Sequence, residues 1–109
     1  MKLQNPFPQQ VRLMYLYNSY TCWECGGNGS QSGGMELHHI WGRVSGSALN
    51  SAPLCKECHS HIGHTVEEQQ NYLRKTIIFL LSQGYILNKE DNDFLELVKK
   101  DLRGFKLSV

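Results

Sequence analysis

Cys22-Trp23-Glu24-Cys25, Glu36-Leu37-His38-His39-Ile40 and Cys55-Lys56-Glu57-Cys58-His59 follow one another through the middle of the chain, two CxxC pairs bracketing a double histidine. A two-residue spacer lets both sulfurs of a CxxC turn reach one ion, and two such turns complete the tetrahedral thiolate shell that Zn²⁺ prefers. Redox pairs, disulfides and unbound thiols are the competing readings of the 4 cysteines. No thioredoxin-like βαβ pattern surrounds either pair, so Cys22, Cys25, Cys55 and Cys58 are read as one structural zinc site. The long segment between the pairs leaves room for a hairpin that carries other chemistry. Such zinc is closed and catalytically silent, and loss of Cys22 or Cys58 is expected to unfold the segment.

The rest of the composition fits a small zinc-stapled fold. At 109 residues and 40% hydrophobic, the chain is expected to form one domain that is neither disordered nor membranous. Glycine and polar residues crowd positions 18–51, where a metal would supply order that apolar burial cannot. The amino terminus has no apolar stretch of signal-peptide length. The longest apolar run, Ile77 to Leu81, is far short of the about 20 residues that span a bilayer. A cytoplasmic location and no membrane partner are therefore expected, and in that compartment paired cysteines are metal ligands more often than disulfides. With a net charge of only +1, any nucleic-acid contact must rest on local cations or a metal ion.

Outside the central stretch the pattern is mostly helical. Residues 1–20 read as an arm followed by a short helix over Gln9 to Asn18. Val11, Leu13, Tyr15 and Tyr17 also fit strand alternation, and Pro8 at the start decides for helix. Gly26 to Gly34 reads as a loop. Met35 to Trp41 is expected as a strand, Gly42 to Leu49 as a turn-rich connection, Ser51 to Leu54 as the partner strand, and a helix begins near Cys55. Residues 65–109 read as a helical pair. Val66 to Ser82 starts on a Thr65/Glu68 capping box, keeps Leu73, Ile77, Leu80 and Leu81 on one side, and stops at Gly84. Lys89 to Arg103 is capped by Asn88 and ends at Gly104.

All 5 histidines, His38, His39, His59, His61 and His64, fall in the same central region. Adjacent residues on a strand point to opposite faces, so one of His38 and His39 can face an ion and the other a substrate.

This central stretch resembles the HNH endonucleases, also called ββα-metal or His-Me finger nucleases. The resemblance rests on Glu36-Leu37-His38-His39-Ile40, Asn50, and Pro53-Leu54-Cys55-Lys56-Glu57-Cys58-His59, in family order, and covers about residues 20–64. It implies an α+β fold: a small ββα-metal core over 21–64, stapled by the CxxC…CxxC zinc site and flanked by helices. It implies His39 as general base, and Asn50 as the residue that fixes the loop and orients the base. His38 and His59 become ligands of a catalytic divalent ion, Mg²⁺, Mn²⁺, Ni²⁺ or Zn²⁺. Many members have Asp at the position of His38; the histidine variant is similar to the nuclease colicins. In that pattern a third ligand falls at Gly63, so His64 is preferred over His61 or water.

The resemblance further implies DNA as partner, 5′-phosphate and 3′-hydroxyl products, and a source in bacteriophages or mobile elements. Arg43 and Lys56 are candidate phosphate contacts, each weighed against a solvated surface role. Trp41 is read as packing on the hairpin in preference to stacking on a base. Arg74, Lys75, Lys99, Lys100 and Arg103 read as solvated helix faces, because acids are interspersed. Two rival functions stand beside the nuclease: a non-catalytic zinc module that binds DNA or protein, and an assembly subunit recruited through the Ile77 to Leu81 face. The sequence leaves the oligomeric state open.

Overall fold

A computed structural model describes residues 6–18, 21–27 and 34–107. The start of the arm and most of the loop expected over 26–34 lie outside the described residues. The rest is a compact α+β arrangement with a Cα radius of gyration of 13.2 Å. Its elements run α1 (Gln9–Tyr17), β1 (Met35–His39), a 3₁₀ turn (Ala48–Asn50), β2 (Ser51–Cys55), α2 (Lys56–Ser60), α3 (Val66–Ser82), α4 (Lys89–Leu97) and a second 3₁₀ turn (Lys99–Leu102).

β1 and β2 form one antiparallel pair, with Met35 opposite Cys55 and His39 opposite Ser51. β1 ends at His39, two residues before the end expected from its apolar pattern. Asn50 sets this stop: its carbonyl accepts from the Ile40 amide at 2.8 Å. Its side-chain Oδ1 accepts from the Trp41 amide at 2.9 Å. Gly42, at φ +74°, then turns the chain away.

α3 buries Tyr72, Leu73, Thr76 and Leu80 along one side. Ile77 is half-buried, whereas Leu81 is exposed. Thr65 Oγ1 caps the start by accepting from the Glu68 amide at 3.1 Å. The Glu68 carboxylate reaches past the cap and accepts from the Gly63 amide at 3.1 Å. At the other end the amides of Gly84 and Tyr85 donate to Leu81 and Leu80 at 3.1 and 3.0 Å, a Schellman closure that needs Gly84 at φ +77°.

The last helix differs from the continuous Lys89 to Arg103 span read from periodicity. α4 ends at Leu97, and the chain tightens into the 3₁₀ turn. The tightening serves long-range partners. Asp101 Oδ2 accepts from Trp41 Nε1 at 2.9 Å, and the Asp101 carbonyl accepts from Gln70 Nε2 at 2.7 Å. Trp41 therefore packs, edge-on to Phe94 with ring centroids 5.7 Å apart. At the other end of α4, Asn88 and Asp91 form a reciprocal capping box. The buried Asp91 carboxylate also accepts from Ser47 Oγ and Tyr85 Oη, each at 2.6 Å.

Two apolar clusters result. The larger joins Val11, Tyr15, Leu49, Leu73, Leu80, Phe94 and Val98; the smaller joins Cys22, Ile40, Ala52, Leu54, Cys55 and Tyr72 beneath the hairpin. Among the described residues no helix is long and apolar enough to cross a membrane.

Candidate metal centre and histidine cluster

The four cysteine sulfurs all lie within 4.8 Å of one another. Cys25 and Cys55 Sγ are 3.9 Å apart, close to the roughly 3.8 Å edge of a tetrahedron with metal–sulfur bonds of about 2.3 Å, and far beyond a disulfide bond. The two turns repeat one geometry. The Cys25 amide points at Cys22 Sγ at 3.5 Å, and the Cys58 amide at Cys55 Sγ at 3.4 Å. Those amides stabilise anionic sulfur, the form a metal binds. The first turn closes through the Gly26 amide on the Cys22 carbonyl, with Gly26 at φ +76°. Burial first, then Cys55, Cys25 and Cys22, pushes the Cys58 thiol up. The donor set thus fits one metal ion.

The residues between the first two cysteines lock this centre to α3. Trp23 Nε1 donates to Thr76 Oγ1 at 2.9 Å, and the Trp23 amide donates to the Pro53 carbonyl at 2.8 Å. Tyr72 Oη donates to Glu24 Oε2 at 2.8 Å. Burial and that carboxylate push the Tyr72 hydroxyl's pKa up, so it remains a donor.

His38 and His39 occupy successive positions of β1 and have different neighbours. The His38 ring lies edge-on to His59 with centroids 4.9 Å apart, and edge-on to Tyr72 at 6.4 Å. Burial, then the nearby His59, His64 and His39, pushes the His38 pKa down to about 4. Its imidazole is therefore neutral near pH 7, with a lone pair available to a cation. His39 stacks instead on Phe7.

His59 Nδ1 meets Glu36 Oε1 at 2.9 Å. With Nδ1–H donating to the carboxylate, Nε2 is left as a ligand nitrogen, the usual carboxylate–histidine arrangement around a metal. Glu36 is a candidate site residue to which the sequence reading gave no role of its own. The signal was present, since Glu36 and His38 are two apart on a strand and share a face.

His64 is exposed, and its ring centroid lies 6.5 Å from that of His38. His61 belongs to the cysteine side, where it lines a cavity with Cys25, Cys55 and Cys58. Its Nδ1 is 2.8 Å from the Glu57 carbonyl oxygen. Gly63 is where Glu68 folds over the chain: a Cβ there would stand 2.5 Å from Glu68 Oε1. Among the described residues, only the cysteines bring three or more potential ligand atoms within 4.8 Å of one another.

Asn50 is fully buried under the turn after β1. Its Nδ2 donates to the carbonyls of Gly42 and Ser45, each at 2.9 Å. Its side-chain bonds thus fix the loop, and the Gly42 amide in turn donates to the His39 carbonyl at 2.9 Å. Arg43 and Lys56 are both exposed. The cations of α3 have structural partners: Arg74 Nε donates to the Lys106 carbonyl at 2.7 Å, and Lys75 Nζ to the Trp23 carbonyl.

Compared with known protein families, curated proteins and solved structures, the chain matches none of them.

Proposed function

We propose that the chain is a metal-dependent endonuclease of the HNH type that hydrolyses DNA phosphodiester bonds. The observation that carries this reading is the meeting of His38 and His59, ring centroids 4.9 Å apart, beside a second strand histidine with different neighbours. A binding module has no need of a neutral half-buried imidazole, a carboxylate-backed histidine and an adjacent proton acceptor together.

Two ions are assigned. Cys22, Cys25, Cys55 and Cys58 hold a structural Zn²⁺, the metal best matched to four thiolates. His38 and His59, with His64 as the preferred third ligand, would hold the catalytic divalent ion. Mg²⁺, Mn²⁺, Ni²⁺ and Zn²⁺ are the candidates, and affinity for imidazole favours the later transition metals. When bound, that ion supplies Lewis-acid stabilisation of the charge that builds on the phosphate and the leaving oxygen.

The chain's own groups do the rest. His39 accepts a proton from water as its oxygen bonds to phosphorus. The P–O3′ bond breaks, the 3′ oxygen takes up a proton from solvent, and the products carry 5′-phosphate and 3′-hydroxyl ends. Asn50 holds the turn beneath His39, Glu36 orients His59, and Arg43 and Lys56 are candidate contacts for neighbouring phosphates.

Nicking of supercoiled plasmid by the full chain with Mg²⁺, Mn²⁺ or Ni²⁺ tests the reading. His39→Ala is expected to lose about 10²- to 10⁴-fold in rate, the span of general-base catalysis. Equal background from wild type and His39→Ala under all three ions leaves the zinc binding module as the better account.

A further inference from the structure

Phe7 lies in the arm ahead of α1, outside the stretch that carries the histidines, yet only 4% of its surface is exposed. Its ring stacks on the His39 imidazole, with centroids 4.0 Å apart and planes inclined by 17°. A buried phenylalanine ordinarily joins an apolar core. Phe7 joins neither of the two clusters formed among the described residues. Nor does it staple the helix start, because the residue that a staple would pair with is the exposed Arg12.

The arm is built to keep this ring in place. Pro6 and Pro8 restrict the backbone on either side of Phe7, and the Pro8 carbonyl accepts from the Val11 amide at 3.0 Å. One turn further along α1, Tyr15 Oη is 2.8 Å from Ser51 Oγ. Ser51 is the cross-strand partner of His39, and its carbonyl also accepts from Thr76 Oγ1 at 2.6 Å. The backbone of His39 and the ring lying on its imidazole are thus both referenced to α1.

We propose that Phe7 is a positioning residue for His39, holding the plane of the imidazole that takes the proton from water; its catalytic consequence rests on the nuclease reading above. General-base transfer needs the acceptor nitrogen within hydrogen-bond reach of the proton, and a misplacement of about 1 Å costs roughly 10²-fold in rate. A flat stacked neighbour covers a face of the imidazole and restricts its rotation, whereas proton transfer uses the ring edge.

The test compares wild type, Phe7→Leu and Phe7→Tyr as full-length, metal-loaded protein. Leucine keeps apolar bulk without a flat ring, and tyrosine restores the ring. Phe7→Leu is expected to lose about 10- to 100-fold in kcat for plasmid nicking with little change in KM, and Phe7→Tyr to recover most of that loss. Metal content and melting temperature are expected to stay near wild type in both variants. In NMR spectra, the ring current of Phe7 should shift the His39 ring protons upfield in wild type and Phe7→Tyr, and not in Phe7→Leu. Undiminished nicking by Phe7→Leu overturns the proposal, as does a loss that follows melting temperature and that tyrosine fails to restore. Absence of the ring shift in an active wild type sinks the positioning role alone. An inactive wild type that shows the shift sinks the nuclease reading, and the catalytic role of Phe7 with it.

Discussion

Asn50 shows how much one side chain can decide here. Its amide spends both donors on the Gly42 and Ser45 carbonyls and its oxygen on the Trp41 amide, in a place with no solvent exposure. Asn50→Ala should therefore cost about 2–4 kcal/mol in urea unfolding, because buried backbone groups are left without partners. Asn50→Asp should be no better, since a carboxylate cannot donate to two carbonyls. An aspartate variant as stable as wild type would contradict this account of the turn. The resemblance to the HNH motif picked Asn50 out of the sequence. Its three partners did not announce themselves, because backbone carbonyls and amides carry no residue-specific signal. The pairing of Glu36 with His59 was missed for a related reason: the two sit 23 positions apart.

Among the elements, α3 is the one that ties the metal centre to the body of the fold. Thr76 is fully buried and does two jobs, accepting from Trp23 Nε1 and donating to the Ser51 carbonyl. Thr76→Val keeps the shape and removes both bonds. It should cost about 1–3 kcal/mol while leaving the helix content of the far-ultraviolet spectrum in place. A valine variant with unchanged denaturant midpoint would mean that the first CxxC turn does not lean on α3. The ends of α3 were legible at 66 and 82 because capping is local chemistry: Thr65 binds the amide three residues on, and Gly84 adopts φ +77° within the same turn. The end of α4 was not. Periodicity continues through 103, but Trp41, 60 positions away, accepts no such continuation and draws Asp101 into a tighter turn.

Over the described residues as a whole, the two apolar clusters are small, and the smaller one includes two of the four cysteines. A metal at those sulfurs is accordingly part of the folding free energy of the hairpin. Chelation, or Cys58→Ser, should release one tightly held ion per chain and melt the 21–64 region, seen as lost amide dispersion in NMR. His38→Ala should keep that ion. Loss of the sulfur-held ion in His38→Ala, or a hairpin that survives complete metal removal, would show that the centre is not the staple described here. Acidification should release the ion as well, because protons compete for thiolate sulfur.

The amino-acid order alone specified the metal knuckles, the strand–strand–helix succession and the helix starts, because spacing and capping act over a few residues. Which imidazole meets which neighbour was decided in three dimensions. Phe7 reaches His39, Glu36 reaches His59 and Tyr72 reaches Glu24 only after α1, α2 and α3 have packed on the hairpin. Contacts between residues far apart in the chain depend on where packing puts whole helices, and no local pattern encodes that.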